Sequence, residues 1–163
     1  SPKPRNDPDD GIVVRLCDTP LGLNPLLAGL KHLNRLEQVM ASAEWNDPSI
    51  AEGLMSSVDG RVVCATAANL FLVREGTLVT PEIRDCGVAG VMRGIVLAAA
   101  RELGIFSEIR DVRQLELAEA DEVFLTNAIT GIRPVGEILG VRRYAVPGEV
   151  TRRLLEHTSR AGA

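Results

Sequence analysis

The sequence predicts an α+β fold, with a largely antiparallel sheet or pseudo-barrel and three main helices. Three observations carry this. Between residues 51 and 80, short apolar runs are separated by two turn signals, Asp59-Gly60 and Glu75-Gly76, the pattern of a β-meander. Three other stretches repeat their apolar residues at helical spacing. Aromatic residues make up only 3% of the 163, so the core must be built from Leu, Val, Ile and Ala.

The elements follow in order. "GIVVRLC" (11–17) is a short β-branched run and reads as a strand. "DTPLGLNPLLAGLK" holds two prolines and two glycines and reads as a long ordered loop. In "LNRLEQVMASAEW" (33–45), Leu33, Leu36, Val39 and Met40 recur at helical spacing, which predicts an amphipathic helix ended by "NDP". The meander supplies strands at 51–57, 61–66, 69–74 and 77–80. After the loop "PEIRDCGVAG", Gly90 leads into a helix with Val91, Ile95, Ala98 and Ala99 on one face and Gly104 as its stop. A strand at 105–110, a short helix or turn in "RQLELAEA" and a buried strand at 121–128 come next. "IRPVGEILGVRRY" reads as two strands about a turn at Gly140, and "PGEVTRRLLEH" (147–157) as a final helix with Pro147 near its start.

Composition bounds the function. A net charge of −4 with no basic run or aromatic–basic interleaving argues against nucleic-acid binding. No apolar run approaches the ~20 residues needed to span a bilayer, and no secretory signal opens the chain. Cys17, Cys64 and Cys86 are far apart and odd in number, which suits reduced thiols in a cytoplasmic protein rather than zinc or disulfides. "SPKPRNDPDD" has three prolines and three aspartates in ten residues and reads as a linker. The expected organisation is an interdomain linker over 1–11 and a folded domain over 12–163, with a preceding domain absent from the chain. A frayed terminus is the plain alternative.

Three features bear on chemistry. Sixteen of the eighteen basic residues are Arg, and the two lysines are Lys3 and Lys31. Lys31 stands among Leu26, Leu27, Ala28, Leu30, Leu33 and Leu36. A lysine amine is a nucleophile only when deprotonated, a form that an apolar pocket favours, and Arg cannot take its place. Lys31 is therefore a candidate Schiff-base lysine, against the simpler reading of a lysine reaching past apolar neighbours to water. In "CGVAGVMRG" (86–94), small residues lead into a helix start at Gly90, Val91 and Met92, where backbone N–H groups and the helix dipole favour an anion such as a phosphate. In "FLTNAITG" (124–131), a buried strand ends in Thr126, Asn127 and Thr130, polar groups that either line a site or cap their own loop. His32 and His157 lack partners at catalytic spacing, and no Ser-His-Asp set, P-loop or GxGxxG is present.

"GLKHLNRLEQ", "AANLFLV", "EGTLVTP", "CGVAGVMRG" and "DEVFLTNAITGIRPV", in this order and spacing, resemble the fold-type IV pyridoxal-phosphate enzymes over residues 12–157. That family includes branched-chain and D-amino-acid aminotransferases and 4-amino-4-deoxychorismate lyase. The K-H-L-N-R-L-E-Q string and the N-A-x-x-G-I-x-P-V ending lean toward the lyase branch. The resemblance implies the large, cofactor-binding domain of such an enzyme, with pyridoxal 5'-phosphate as cofactor and a small-molecule substrate. It further implies a homodimer, a smaller N-terminal domain elsewhere, and an isolated chain without activity.

By the same resemblance Lys31 aligns with the lysine that forms the Schiff base with the cofactor and then moves the proton. Val91 and Met92, with Gly90 before them, align with the helix start that holds the phosphate. Asn127 and Ala128 align with the strand end that closes the site, and Asn69 belongs to a structural N-L-F signature. Cys64 departs from the pattern: it occupies the position of a glutamate that keeps the cofactor's ring nitrogen protonated. A thiol cannot do this, so the cofactor would be a weaker electron sink. Three functions follow as expectations: a lyase making 4-aminobenzoate for folate biosynthesis, an aminotransferase of D- or branched-chain amino acids, or a cofactor-free homologue that binds without catalysing.

Overall fold

The β-branched run near the start becomes the centre of the fold, inserted between two strands that follow it in sequence. The structure is a computed structural model and describes residues 11–161. The linker expected over residues 1–11 therefore lies outside the described residues, Gly11 excepted. The chain runs β1 (Ile12–Leu16), α1 (Leu36–Ser42), β2 (Ile50–Ser56), β3 (Arg61–Ala65), β4 (Asn69–Arg74), β5 (Thr77–Pro81) and α2 (Val91–Glu102). It continues with β6 (Ser107–Arg110), β7 (Val112–Arg113), α3 (Gln114–Glu119), β8 (Glu122–Asn127), β9 (Gly131–Ile138), β10 (Arg142–Arg143) and α4 (Glu149–Ala161).

Strands β4-β8-β9-β1-β2-β3 pair in that order, and β3 pairs back onto β4, so six strands close into a barrel. Strands β5 and β6 extend the sheet beyond β4, β7 extends it beyond β3, and β10 hangs on β9. Most pairings are antiparallel, but β1 lies parallel to both β2 and β9, and β5 parallel to β6. A parallel β1–β2 pair cannot be joined by a hairpin and needs a long crossover. Here that crossover is residues 17–49, the segment that carries Lys31 and α1.

Val14, Leu54, Leu70, Leu72, Val123, Leu125 and Val135 form one buried cluster inside the barrel. On the other face of β4 and β8, Phe71 stacks on Phe124 with ring centroids 5.0 Å apart, and Val96, Ala99 and Ala100 of α2 and Leu154 of α4 cover them. Strands buried on both faces read as continuous apolar runs, as "LFLV" and "VFL" do. A third cluster, under the crossover, joins Cys17, Leu21, Ala41, Met55, Val63, Cys64 and Cys86.

The expected α+β class and largely antiparallel sheet are present; the expected pseudo-barrel is a closed six-stranded barrel, and the described residues form four helices where three main ones were expected. Two helix faces differ from expectation. The first helix is shorter than 33–45, and its buried residue is Ala41, while Leu33, Leu36, Val39 and Met40 point to solvent. Helix α2 buries Val96, Ala99 and Ala100, whereas Val91 and Ile95 are exposed. Helical spacing identifies a stripe but not what covers it, and these stripes are not covered by the described residues.

Helix α4 depends on an acid from another element. The buried Glu122 carboxylate accepts the backbone N–H groups of Val150 (3.0 Å) and Thr151 (2.8 Å) and the Thr151 hydroxyl (2.6 Å). Gly148 is needed beside it, because a Cβ there would overlap the Glu122 side chain. Replacing Glu122 with Ala leaves these buried donors unpaired and removes the cap, an expected loss of about 1–3 kcal/mol. Urea unfolding should show a lower midpoint at unchanged m-value, and an unchanged midpoint would refute the role.

Candidate active site

The crossover is laid along the barrel as a strap. Leu21 N–H donates to the Ser56 carbonyl (2.8 Å) and Val58 N–H to the Leu21 carbonyl (3.0 Å). Asn24 N–H donates to the Asp85 carbonyl (2.7 Å). Gly29 N–H donates to the Gly87 carbonyl (2.9 Å), and Ala89 N–H returns a bond to the Gly29 carbonyl (3.1 Å). Gly29 has φ +81°, a conformation natural only to glycine, so the strap can turn at this bridge. Lys31 follows two residues later and is thereby fixed beside the 86–90 segment that opens α2. The apolar pocket expected around Lys31 is not formed by its neighbours: Lys31, Leu26, Leu30 and Leu33 are all exposed.

The buried side chain of Asn69 ties the next piece. Its Nδ2 donates to the Val88 carbonyl at 2.7 Å, and its Oδ1 lies where a Cβ on Gly90 would be. Gly90 is the N-cap of α2, with no side-chain cap and no acid in the first turn. The helix start at Gly90, Val91 and Met92 therefore presents free backbone N–H groups and the positive end of the dipole.

Cys64, Asn69 and Thr126 stand opposite one another on the adjacent strands β3, β4 and β8. Thr126 Oγ1 is buried without a hydrogen-bond partner. Next to it, Asn127 Oδ1 accepts the N–H groups of Ile129 (2.9 Å) and Thr130 (2.7 Å) and the Thr130 hydroxyl, and its Nδ2 reaches the Ala67 carbonyl at 3.3 Å. The Asn127 side chain thus holds its own turn and docks it on the β3–β4 hairpin, while Ala128 is exposed. Arg35 docks on the same hairpin, donating to the Thr66 carbonyl at 3.2 Å. Of the residues expected to form the site, Cys64 lies in this hairpin, Gly90 meets it through Asn69 and Asn127 through the Ala67 carbonyl; Val91, Met92 and Ala128 adjoin these contacts in sequence, while Lys31 is exposed on the strap two residues beyond the Gly29 bridge.

Cys64 is buried among apolar groups, which pushes its thiol up to about 12. Burial pushes the Cys17 thiol up to about 12 as well, and raises that of Cys86. All three are free thiols, and among the described residues no group of three His, Cys, Asp or Glu side chains is placed to hold a metal. The chain thus offers a neutral thiol at position 64.

A network not legible in the sequence supports the strap. Buried Arg61 bridges Asp59 (2.9 Å), Asp85 (3.1 Å) and Asp111 (3.3 Å), and Arg84 bridges Asp111 (2.8 Å) and Asp85 (3.2 Å). Asp85 is the residue whose carbonyl receives Asn24. The available signal was an arginine set between a turn and the apolar run "VVCA". His157 pairs with Glu102 across α2 and α4 at 2.6 Å. His32 lines a cleft of about 230 Å³ behind the strap with Arg35, Gln38 and Cys86.

The class IV amino-transferase family model matches residues 1–138, most of the chain. The chain belongs to the class IV aminotransferase family. It is 40% identical over 146 residues to an aminodeoxychorismate lyase of Vibrio harveyi, covering 88% of this chain and 54% of that protein. It is 33% identical over 150 residues to a putative branched-chain-amino-acid aminotransferase of Methanocaldococcus jannaschii, covering 91% and 52%. The crystal structure of 4-amino-4-deoxychorismate lyase from Pseudomonas aeruginosa superposes with a TM-score of 0.89 at 50% identity, covering 98% of this chain and 60% of that one. The branched-chain aminotransferase of Escherichia coli gives 0.83 at 27%, covering 90% and 51%. The chain spans about half the length of the curated relatives it matches.

Class IV enzymes of fold-type IV use pyridoxal phosphate. The donor set here fits that group. The uncapped helix start at Gly90 and the orphaned buried Thr126 hydroxyl both adjoin Asn69 and suit a phosphate and a polar ring substituent, and the exposed Lys31 on the strap is the amine that suits an aldehyde. Gly90→Ala should drive its methyl group into Asn69 and displace the helix start. We expect lower retention of pyridoxal phosphate after desalting, with partial recovery in the Gly90→Ala/Asn69→Ala double variant. Strict additivity of the two substitutions would refute the contact.

The thiols also set a pH dependence. A pKa raised in the folded state means that the native protein binds more protons than the unfolded chain between about pH 9 and 12. The stabilisation is complete below pH 9 and is lost as the pH rises toward 12. Unfolding measured across this range should weaken with pH, and Cys64→Ala should remove part of that slope.

Proposed function

We propose that this chain is the cofactor-binding half of an aminodeoxychorismate lyase, which converts 4-amino-4-deoxychorismate into 4-aminobenzoate and pyruvate for folate biosynthesis in the cytoplasm. The observation that carries the reading is the gap in likeness: 50% identity to the Pseudomonas aeruginosa lyase over 98% of the chain, against 27% to the Escherichia coli aminotransferase.

Pyridoxal phosphate, when bound, supplies an electron-withdrawing ring joined to the substrate nitrogen. The N–H groups of Val91 and Met92 would hold its phosphate at the start of α2. Lys31 would hold the cofactor through Nζ and, when that nitrogen is free, would accept a proton from the substrate ring at the same atom. The C–O bond to the pyruvyl group then breaks, the ring becomes aromatic, and the departing pyruvate gains the proton that the ring lost. Aromatisation drives this step, so a neutral thiol at position 64 is tolerable where a strong electron sink is not required. Asn127 keeps the 127–130 turn docked on the hairpin and so shapes the site wall with Ala128.

The exposed apolar strip Leu23, Leu26, Leu30, Leu33, Leu36, Val39 and Met40 flanks Lys31 and is far larger than scattered surface leucines require. In this reading it is covered in the whole protein by a smaller N-terminal domain and by a second copy in a homodimer, which also exclude water from Lys31. The isolated chain should then show little or no lyase turnover, and clear turnover by it alone would refute the covering role.

An aminotransferase of D- or branched-chain amino acids is the second reading, favoured by the 33% identity to the Methanocaldococcus jannaschii relative. Visible spectra of the whole protein separate the two. The lyase reading expects a cofactor band that is lost in Lys31→Ala, with turnover falling about 10²–10⁴-fold or more. Conversion of the cofactor to its amine form by amino acids, without turnover of aminodeoxychorismate, would establish the aminotransferase. Absence of any band would leave the cofactor-free homologue.

A further inference from the structure

The cleft behind the strap has a volume of about 230 Å³. Its walls are the strap on both sides of Lys31, the first turn of α1 and residues 85–88, while Lys31, Cys64 and the start of α2 do not line it. Roughly 150 Å³ is enough to hold a benzene ring, so a small cyclic molecule has room here. Two wall residues carry a polar atom that is buried with no hydrogen-bond partner, His32 at Nδ1 and Gln38 at Oε1. Buried polar atoms are nearly always paired, because an unpaired one gives up its hydration for nothing. Among the described residues there is one other such side-chain atom, Thr126 Oγ1, and it lies at the cofactor site. Two of the three orphans therefore mark this cleft.

We propose that the cleft is a second binding site, for a small cyclic carboxylate that also carries a hydrogen-bond donor in the form of an amino or hydroxyl group. The charges in the wall select an anion. Glu37 is engaged, since its Oε1 accepts the Gly22 N–H at 2.9 Å. Asp85 is bridged by Arg61 at 3.1 Å and by Arg84 at 3.2 Å. Arg35 is the cation of the wall that no acid neutralises: its Nη2 donates to the Thr66 carbonyl at 3.2 Å, and among the described residues it forms no ion pair. A guanidinium has several N–H donors in a planar fork, so Arg35 keeps donors for a carboxylate.

The two orphans select the rest of the ligand. Gln38 Oε1 is an acceptor and requires a donor opposite it, while His32 Nδ1 serves either role. Leu21, Leu27 and Val88 complete the wall and suit an apolar body between the two polar ends. A ligand held in this way ties the strap and α1 to residues 85–88. None of this depends on the cofactor, because the cleft uses neither Lys31 nor the start of α2.

Calorimetric titration of the whole protein, with pyridoxal phosphate in excess, tests the site with 4-aminobenzoate, benzoate and aniline as probes. 4-Aminobenzoate should bind. Benzoate lacks the donor and aniline lacks the carboxylate, so each should bind about 10-fold more weakly or worse, the loss of one buried hydrogen bond or charged contact. Gln38→Leu and His32→Phe each replace an unpaired buried polar group with an apolar one of similar size, so the fold should survive. Each should weaken 4-aminobenzoate binding by a similar factor. 4-Aminobenzoate is also the product under the proposed function, so these two variants decide where it sits. Binding weakened in either variant, with an unchanged circular dichroism spectrum, supports the cleft. No binding by the wild type, equal binding of the three probes, or binding unchanged in both variants would overturn it.

Discussion

The structure of the site depends on one hairpin, residues 64–69, and above all on the Asn69 side chain within it. Its amide nitrogen holds the Val88 carbonyl, and its oxygen lies against Gly90. The turn between β3 and β4 is tight, so the Thr66 and Ala67 carbonyls have no ladder partners. Arg35 and Asn127 take those two carbonyls. The lysine segment, the helix start and the strand end are far apart in sequence, and each finds its place by bonding to this turn. An amide that donates and also packs against a glycine leaves little freedom to any of the three. That is the rigidity that a multi-part site needs.

The crossover is the second determinant. Strand β1 sits between β2 and β9 and runs parallel to both, so the chain must travel the length of the barrel before β2 can begin. The strap this requires is pinned at Leu21, Asn24 and Gly29 by backbone bonds, and the Arg61 network steadies the Asp85 end from below. A loop that only needed to connect two strands would not carry so many exposed leucines. The strip from Leu23 to Met40 and the outward-facing Val91 and Ile95 form apolar faces that the described residues leave uncovered.

Electrostatically the site is rich in cations and donors and poor in acids. Arg35 donates to the Thr66 carbonyl and the uncapped start of α2 lies against Asn69, while the Cys64 thiol between them in sequence stays neutral because it is buried. The acids nearby are already committed: Glu52 to Thr66, and Asp59, Asp85 and Asp111 to Arg61 and Arg84. An uncapped helix start of this kind attracts phosphate and carboxylate groups.

Much of this was legible from residues alone. Two Asx/Glu-Gly turns, runs buried on both faces and helical spacing determined the strands, the helices and the α+β class, because these patterns record backbone geometry and local burial. The rarity of lysine singled out Lys31, and the small residues before Val91 marked an anion-binding helix start. What covers a stripe, however, is a matter of what packs on it: the spacing of Leu33, Leu36, Val39 and Met40 predicts an amphipathic helix, and the described residues leave that apolar stripe exposed. The bond from Arg35 to the Thr66 carbonyl, the Arg61–Asp85 pair and the docking of Asn127 on Ala67 could not be read at all, because each joins residues separated by about 24 to 60 positions through side-chain contacts. The sequence by itself determined which chemical groups are present and on which local elements. Only the tertiary structure decided which of them meet, because the barrel's closure and its parallel crossover set those distances, and no local pattern encodes them.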